Sequence, residues 1–158
     1  MRLSTAIASV LGIGYFKIAP GTVMSAVAVP PAFLIATYGG STALFAASLL
    51  AFAIGVWACD GHVRTHGRKD PSECVIDELA GQWLTCVFAA LPLAATGVSL
   101  PAFALAFILF RLFDIWKPWP VSWADQTLEG GFGVMADDML AGLMAGIIVV
   151  LVRMSVPL

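Results

Sequence analysis

Five stretches of this chain run for about 14–19 residues with almost no charge, and this limits the fold more than any other feature. They are Val23–Gly39, Ser41–Cys59, Leu79–Thr96, Ser99–Phe110 continuing toward Trp116, and Met139–Val152. A helix needs roughly 17–25 apolar residues to cross the hydrocarbon of a bilayer, so each stretch is near that length and borrows a turn from its flanks. Across lipid, only helices and closed barrels satisfy every backbone group. The pattern therefore predicts an all-α, multi-pass membrane helical bundle of about five spans, in a single domain over residues 1–158. Composition agrees: 60% of residues are hydrophobic and 11% charged, against roughly 45–50% and 25% in soluble domains. Gly39-Gly40, and Thr96–Ser99 followed by Pro101, predict tight hairpin turns. Pro30-Pro31 and Pro92 predict kinks inside spans. Leu3–Ile13 predicts a short sixth helix, too short and too polar to span. Arg2 ahead of an apolar run resembles a signal peptide, but serines, glycines, Lys17 and Pro20-Gly21 interrupt it, so the segment is expected to stay in the mature protein.

The charges are distributed with equal economy. All ten acidic residues fall within Asp60–Glu78, Asp114–Glu129 and Asp137-Asp138. Five alternating spans would put these stretches, and residues Gly14–Thr22, on one side, while the two hairpins opposite carry no charge. Lys17, Arg64, Arg68, Lys69, Arg111 and Lys117 join the acids, which marks that side as cytoplasmic. Arg153 lies opposite. A formal net charge of −2 gives no basic surface, so nucleic acid is excluded as a partner. The bilayer itself is the expected surrounding, and a site facing its headgroups the expected reason for gathering the carboxylates on one face. The oligomeric state is left open.

Cys59, Cys74 and Cys86 include no C-x-x-C pair, and their odd number argues against a disulfide scaffold, so all three are expected as free thiols. His62 and His66 stand at the i, i+4 spacing that can hold a metal on a helix, but the basic residues among them favour a solvated loop.

Four clusters could carry chemistry. Gly12-Ile13-Gly14 and then Pro20-Gly21-Thr22 precede the first span, where free N–H groups make a phosphate seat or, as plainly, a turn capped by Thr22. Asp77-Glu78 and Gly81 open the third span. Arg111, Asp114 and Lys117 recur every third residue and so share one helical face. Gly130-Gly131-x-Gly133 leads to Asp137-Asp138 at the head of the last span. Each acidic pair alone is explained by the helix dipole. Together, five carboxylates at the ends of three spans on one side suggest more, since ionisable groups at membrane helices are costly and usually functional. Oxygen ligands at this density suit Mg²⁺, and Arg111 and Lys117 suit phosphate.

The run from Phe110 through Arg111, Asp114, Trp116, Lys117 and Pro118 to Pro120, then Gly130-Gly131-Phe132-Gly133 and Asp137-Asp138 with Gly142, resembles the C-terminal motifs of the phosphatidylglycerophosphatase A family. Pro20-Gly21-Thr22 and Asp77-Glu78-x-x-Gly81 are similar to its two upstream motifs, in order, so the resemblance covers nearly the whole chain. It implies Mg²⁺-dependent removal of the terminal phosphate of an anionic phospholipid substrate, phosphatidylglycerophosphate, at a bacterial cytoplasmic (inner) membrane. Carried onto this sequence, Asp77, Glu78, Asp137 and Asp138 would be metal ligands, and Gly21, Thr22, Arg111 and Lys117 would hold phosphate. Asp114 and Asp138 would act in catalysis, Asp114 by completing the metal shell or positioning water. Met24 stands where the family commonly has glycine, which puts the phosphate seat in question.

Two rivals are weaker. Asp60-Gly61-x-x-Arg64 is faintly similar to the opening of the CDP-alcohol phosphotransferases, but their later carboxylate ladder is missing. A transporter would show charges in mid-span or paired half-repeats, and the spans here show neither.

Overall fold

The computed structural model describes residues 2–66, 72–93 and 98–156, without the side chains of Thr65 and His66. Among them there is no strand. The elements are α1 (Leu3–Ala8), a 3₁₀ turn (Ile13–Tyr15), α2 (Pro20–His66), α3 (Ile76–Ala89), α4 (Leu100–Trp116), α5 (Val121–Thr127) and α6 (Gly130–Ser155).

Helix α2 is two arms joined at Gly40, whose φ of 74° and ψ of 179° are non-helical and cost glycine little. The two arms run in opposite directions along α3. In the first, Gly21 faces Glu78 and the Ala28 carbonyl accepts from the Trp83 indole, so both numbers rise together. In the second, Ser48 Oγ donates to the Ala80 carbonyl while Gly55 faces Ile76, so they run opposed. The hairpin expected at Gly39-Gly40 is present.

Helices α3 and α6 lie parallel and touch through glycine. A Cβ on Gly142 would overlap the Gly81 carbonyl, and one on Gly81 would overlap the Asp138 carbonyl, so neither position admits a larger residue without separating the helices. Thr85 Oγ1 donates to both the Gly81 and Gly142 carbonyls. Helix α4 packs its buried Phe103 edge-on to Phe33, with Phe110 covering the crossing. As a result, the start of α2, the start of α3, the end of α4 and the start of α6 meet at one end of the bundle.

Several expectations need correcting. α2 starts at Pro20 rather than Val23, because Pro suits the first turn of a helix, so Thr22 sits inside that turn instead of capping it. α3 ends at Ala89 rather than Thr96; the chain leaves the helix before Pro92, so Pro92 kinks nothing. The sixth helix stops at Ala8, where Val10, Leu11 and Gly12 turn to positive φ. Cys59 and Cys74 are not free: they form a disulfide across a Cα–Cα distance of 6.4 Å. The odd count is met by leaving Cys86 buried and unpaired. The bridge ties the end of α2 to the segment entering α3, a proximity that only the fold creates. His62 is buried and bonded to Thr5 Oγ1 through Nδ1, so it belongs to the α1–α2 contact and not to a solvated loop. The His66 side chain, Arg68, Lys69 and Asp70 lie outside the described residues.

Among the described residues, two stretches are long and apolar enough to cross a membrane, Pro20–Arg64 and Gly130–Ser155. The first contains both arms of α2.

Candidate active site

The end where four helices meet encloses a cavity of about 380 Å³. Every residue expected at the site lines it: Gly21 and Thr22 from α2, Asp77 and Glu78 from α3, Arg111, Asp114 and Lys117 from the end of α4, and Asp137 and Asp138 from α6.

Three of the carboxylates converge. One oxygen from each of Asp77, Glu78 and Asp138 lies within 4.8 Å of the other two. Their helices position them: Asp77 and Glu78 are in the first turn of α3, and Asp138 reaches across the glycine contact from α6. Glu78 Oε1 stands close against Gly21, in the space a Cβ there would take, so a side chain at 21 would make the carboxylate move. Burial pushes the Asp77 carboxyl well above its ordinary range, and the nearby Glu78 and Asp138 raise it further. Glu78 is raised too, by burial above all and less by Asp114, though a hydrogen bond with Asp77 and then the charge of Arg111 draw it back in part. Glu78 Oε2 and Asp138 Oδ2 are buried without a hydrogen-bond partner. Buried carboxylate oxygens ordinarily find partners, so these two are acceptors left open. A hard divalent cation held by a few carboxylates would satisfy them, so the residues present fit Mg²⁺.

Cations flank this cluster. Arg111 Nη1 lies 2.5 Å from Asp114 Oδ2, with both side chains nearly buried. The same nitrogen donates to Ser25 Oγ at 3.3 Å, while Ser25 donates to the Gly21 carbonyl. Arg111 Nε is buried without a partner, leaving a donor for a ligand oxygen.

Lys117 is placed differently from the expectation. It caps α4 with φ 47° and ψ 55°, so the last step of the 111–114–117 row is not helical and the ammonium swings off the shared face. It donates to Asp125 Oδ1 at 2.7 Å and to Asp137 Oδ2 at 2.8 Å. Burial alone would lower its pKa, but the two carboxylates more than offset that and hold it above the ordinary lysine value. Asp137 therefore lies in the cavity as an ion-pair partner, outside the group of three. Asp125 is a further cavity residue that the sequence reading passed over; it sits on the seven-residue α5, between Lys117 and Asp137, and its only sequence cue was lying within the acidic stretch after Pro118 and Pro120.

Met24 is 2% exposed and packs with Ala28 and Val75, against Val10, Leu79 and Trp83. Its side chain fills core beneath the cavity and is not part of the lining.

The sequence profile of the family described as Phosphatidylglycerophosphatase A matches residues 6–153, taking in all of these positions. The chain belongs to this family. A Phosphatidylglycerophosphatase A of Escherichia coli is 36% identical over 138 residues, 87% of this chain and 76% of its own length. One from Haemophilus influenzae has the same identity over the same number of residues, covering 81% of its length. A relative from Bacteroides thetaiotaomicron carries the provisional name of a phosphatidylinositol-3-phosphatase; it is 38% identical over 108 residues, 66% of this chain and 62% of its own. No solved structure matches. As a member of the phosphatidylglycerophosphatase A family, the protein is an enzyme, and its class is phosphatase.

Proposed function

We propose that the protein hydrolyses the terminal phosphomonoester of phosphatidylglycerophosphate, giving phosphatidylglycerol and inorganic phosphate, with Mg²⁺ at Asp77, Glu78 and Asp138. The observation that carries this reading is the convergence of those three carboxylates, two with unpartnered oxygens, beside an arginine with a free donor. Mg²⁺ bound there would supply Lewis-acid charge neutralisation and a more acidic water. The chain's own groups supply the rest. Arg111, held by Asp114 and Ser25, turns Nε toward the phosphate oxygens and offsets the charge they gain. Lys117 adds a second positive charge, kept in place by Asp125 and Asp137. Gly21 and Thr22, in the first turn of α2, bring backbone and hydroxyl groups to the phosphate. Asp114 and Asp138 border the space from which water attacks phosphorus. As the phosphorus–oxygen bond to glycerol breaks, a proton from that water goes to the leaving oxygen. Asp137 joins the metal ligands in this scheme only if Lys117 releases it.

We infer further that the five passes lie in a bacterial cytoplasmic membrane with the carboxylate end toward the cytoplasm. Large apolar side chains such as Leu34, Leu50, Ile108 and Leu151 are more than half exposed on the flanks of the bundle. Apolar surface of this extent marks a membrane or partner interface.

The test is phosphate release by detergent-purified protein from phosphatidylglycerophosphate, with Mg²⁺ and with EDTA, beside phosphatidylinositol-3-phosphate and a soluble phosphomonoester. Release that needs Mg²⁺ and favours phosphatidylglycerophosphate supports the reading. Preference for the inositol lipid would move the substrate assignment, and Mg²⁺-independent release would remove the metal role.

A further inference from the structure

A second cavity, of about 470 Å³, lies beside the first and is lined almost wholly by apolar side chains. α6 builds both from adjacent faces. Gly133, Val134, Asp137 and Asp138 face the polar cavity, while Phe132, Ala136, Met139, Leu140 and Leu143 face the apolar one. Leu128 borders both. It can approach α6 because position 133 is glycine, where a Cβ would overlap Leu128. Trp123 and Phe132 stand at the carboxylate end of this groove, and Leu143 at the other, with Phe52 set edge-on against Phe132. From Phe132 to Leu143 the groove follows α6 for about 16 Å at 1.5 Å per residue. It starts level with the phosphate site and leads away from it along the bundle. Its rim is open, since Leu49, Trp123, Phe132 and Leu143 are each 42–51% exposed.

We propose that this groove seats an acyl chain of the substrate while the headgroup occupies the carboxylate cavity. The proposal rests on the lipid-phosphatase reading and adds where the rest of the molecule goes. A lipid phosphomonoester joins a charged end to an apolar chain, and these two cavities meet at one residue in that same order. An occupant without a polar end would have no reason to sit where the groove touches the site. A preformed apolar slot also selects by chain, because a substrate without chains makes none of the contacts that the groove offers.

The experiment compares long-chain phosphatidylglycerophosphate with its deacylated form, glycerophosphoglycerophosphate, in wild type, Ala136→Phe and Leu143→Gln. Ala136→Phe fills the groove. Leu143→Gln, at the exposed rim, keeps the proposal testable if the first variant misfolds. The ratio of kcat/KM for the long-chain over the deacylated substrate should fall about tenfold in Ala136→Phe, mainly through KM, and less in Leu143→Gln. Equal loss on both substrates, or an unchanged ratio in folded variants, would overturn the groove assignment. Wild type tests the phosphatase reading separately: if it releases phosphate from neither substrate, that reading fails, and the groove assignment fails with it.

Discussion

The two ends of this bundle treat charge in opposite ways. At one end, Arg153 in the last turn of α6 is buried; its Nη1 donates to the carbonyls of Phe88 and Leu91, at 3.1 and 2.9 Å, while its Nε and Nη2 have no hydrogen-bond partner among the described residues. Those carbonyls close the end of α3, the negative end of its dipole, so the cation sits where the chain attracts it. At the other end, Asp77, Glu78 and Asp138 crowd within 4.8 Å of one another, and two of their oxygens have no partner. The first arrangement gains from its neighbours. The second sets like charges against one another, which the proposed cation would offset. A cation at the negative end of a helix dipole has a structural account even with two nitrogens unpartnered; like charges crowded together have none of that kind, which is why the proposed cation belongs there.

The sharpest way to break this comparison is Asp138→Asn, which keeps the shape and removes one charge. Changing an outer-shell partner of a metal ligand costs about 10–100-fold, so losing a ligand itself should lower phosphatase activity by about 100-fold or more. The protein should still purify as folded material. Normal activity in that variant would take Asp138 out of the site and reduce the three-carboxylate cluster to a packing feature.

The second effect is on stability, with no turnover needed. If the carboxylate end lacks only a cation, Mg²⁺ at about 100 times its Kd stabilises the folded state by about 2.7 kcal/mol, roughly 5–10 °C in a chain of this size. Thermal unfolding in detergent should show this shift in wild type and lose most of it in Asp138→Asn. A shift of equal size in both would place the cation elsewhere.

How far the sequence disclosed this contrast depends on what each residue's neighbours in the chain could reveal. The carboxylates at helix starts, the Gly39-Gly40 hairpin and the one-sided charge follow from local pattern, so they were legible. Lys117 was not, because the row 111–114–117 assumes a helix that ends only after Lys117, and its αL conformation turns the ammonium to Asp125 and Asp137. Asp125 gains its role only when α5 folds back over the cavity. The Cys59–Cys74 pairing likewise needs α2 and α3 brought side by side. The apolar groove was hidden for a further reason: part of its lining reads as ordinary span residues, and Trp123, Leu128, Phe132 and Ala136 fall between the expected spans, until α5 and α6 are placed together.

Arg153→Met tests the other end. It removes a cation and both of its hydrogen bonds to the end of α3, which costs about 1–3 kcal/mol, although the Leu91 carbonyl keeps the Leu93 amide as a donor. Because the site is at the opposite end, activity per folded molecule should stay within about twofold, as expected for uncoupled distant positions. Chemical unfolding and an active-fraction assay separate the two effects. A collapse of specific activity with stability intact would mean the ends communicate, and the division between a structural and a functional end would fail.

The smallest effect is expected from a carboxylate at the functional end that lacks the cluster's surroundings. Asp60 pairs with Arg64 one helical turn away at 2.8 Å, and their side chains are 37% and 78% exposed. Water screens such a pair, and its net contribution is at most about 1 kcal/mol. Asp60 does approach the start of α6, accepting from the Gly131 amide at 3.5 Å, but that distance is at the outer limit of a hydrogen bond. Asp60→Asn keeps an oxygen acceptor there and removes the charge. Its phosphatase activity should therefore stay within about twofold of wild type, since a neutral acceptor replaces a weak charged one. A large loss would show that charge anywhere on this end matters, through the field of the whole face. A small one would locate function in the buried group of three, where like charges are held together against their own repulsion.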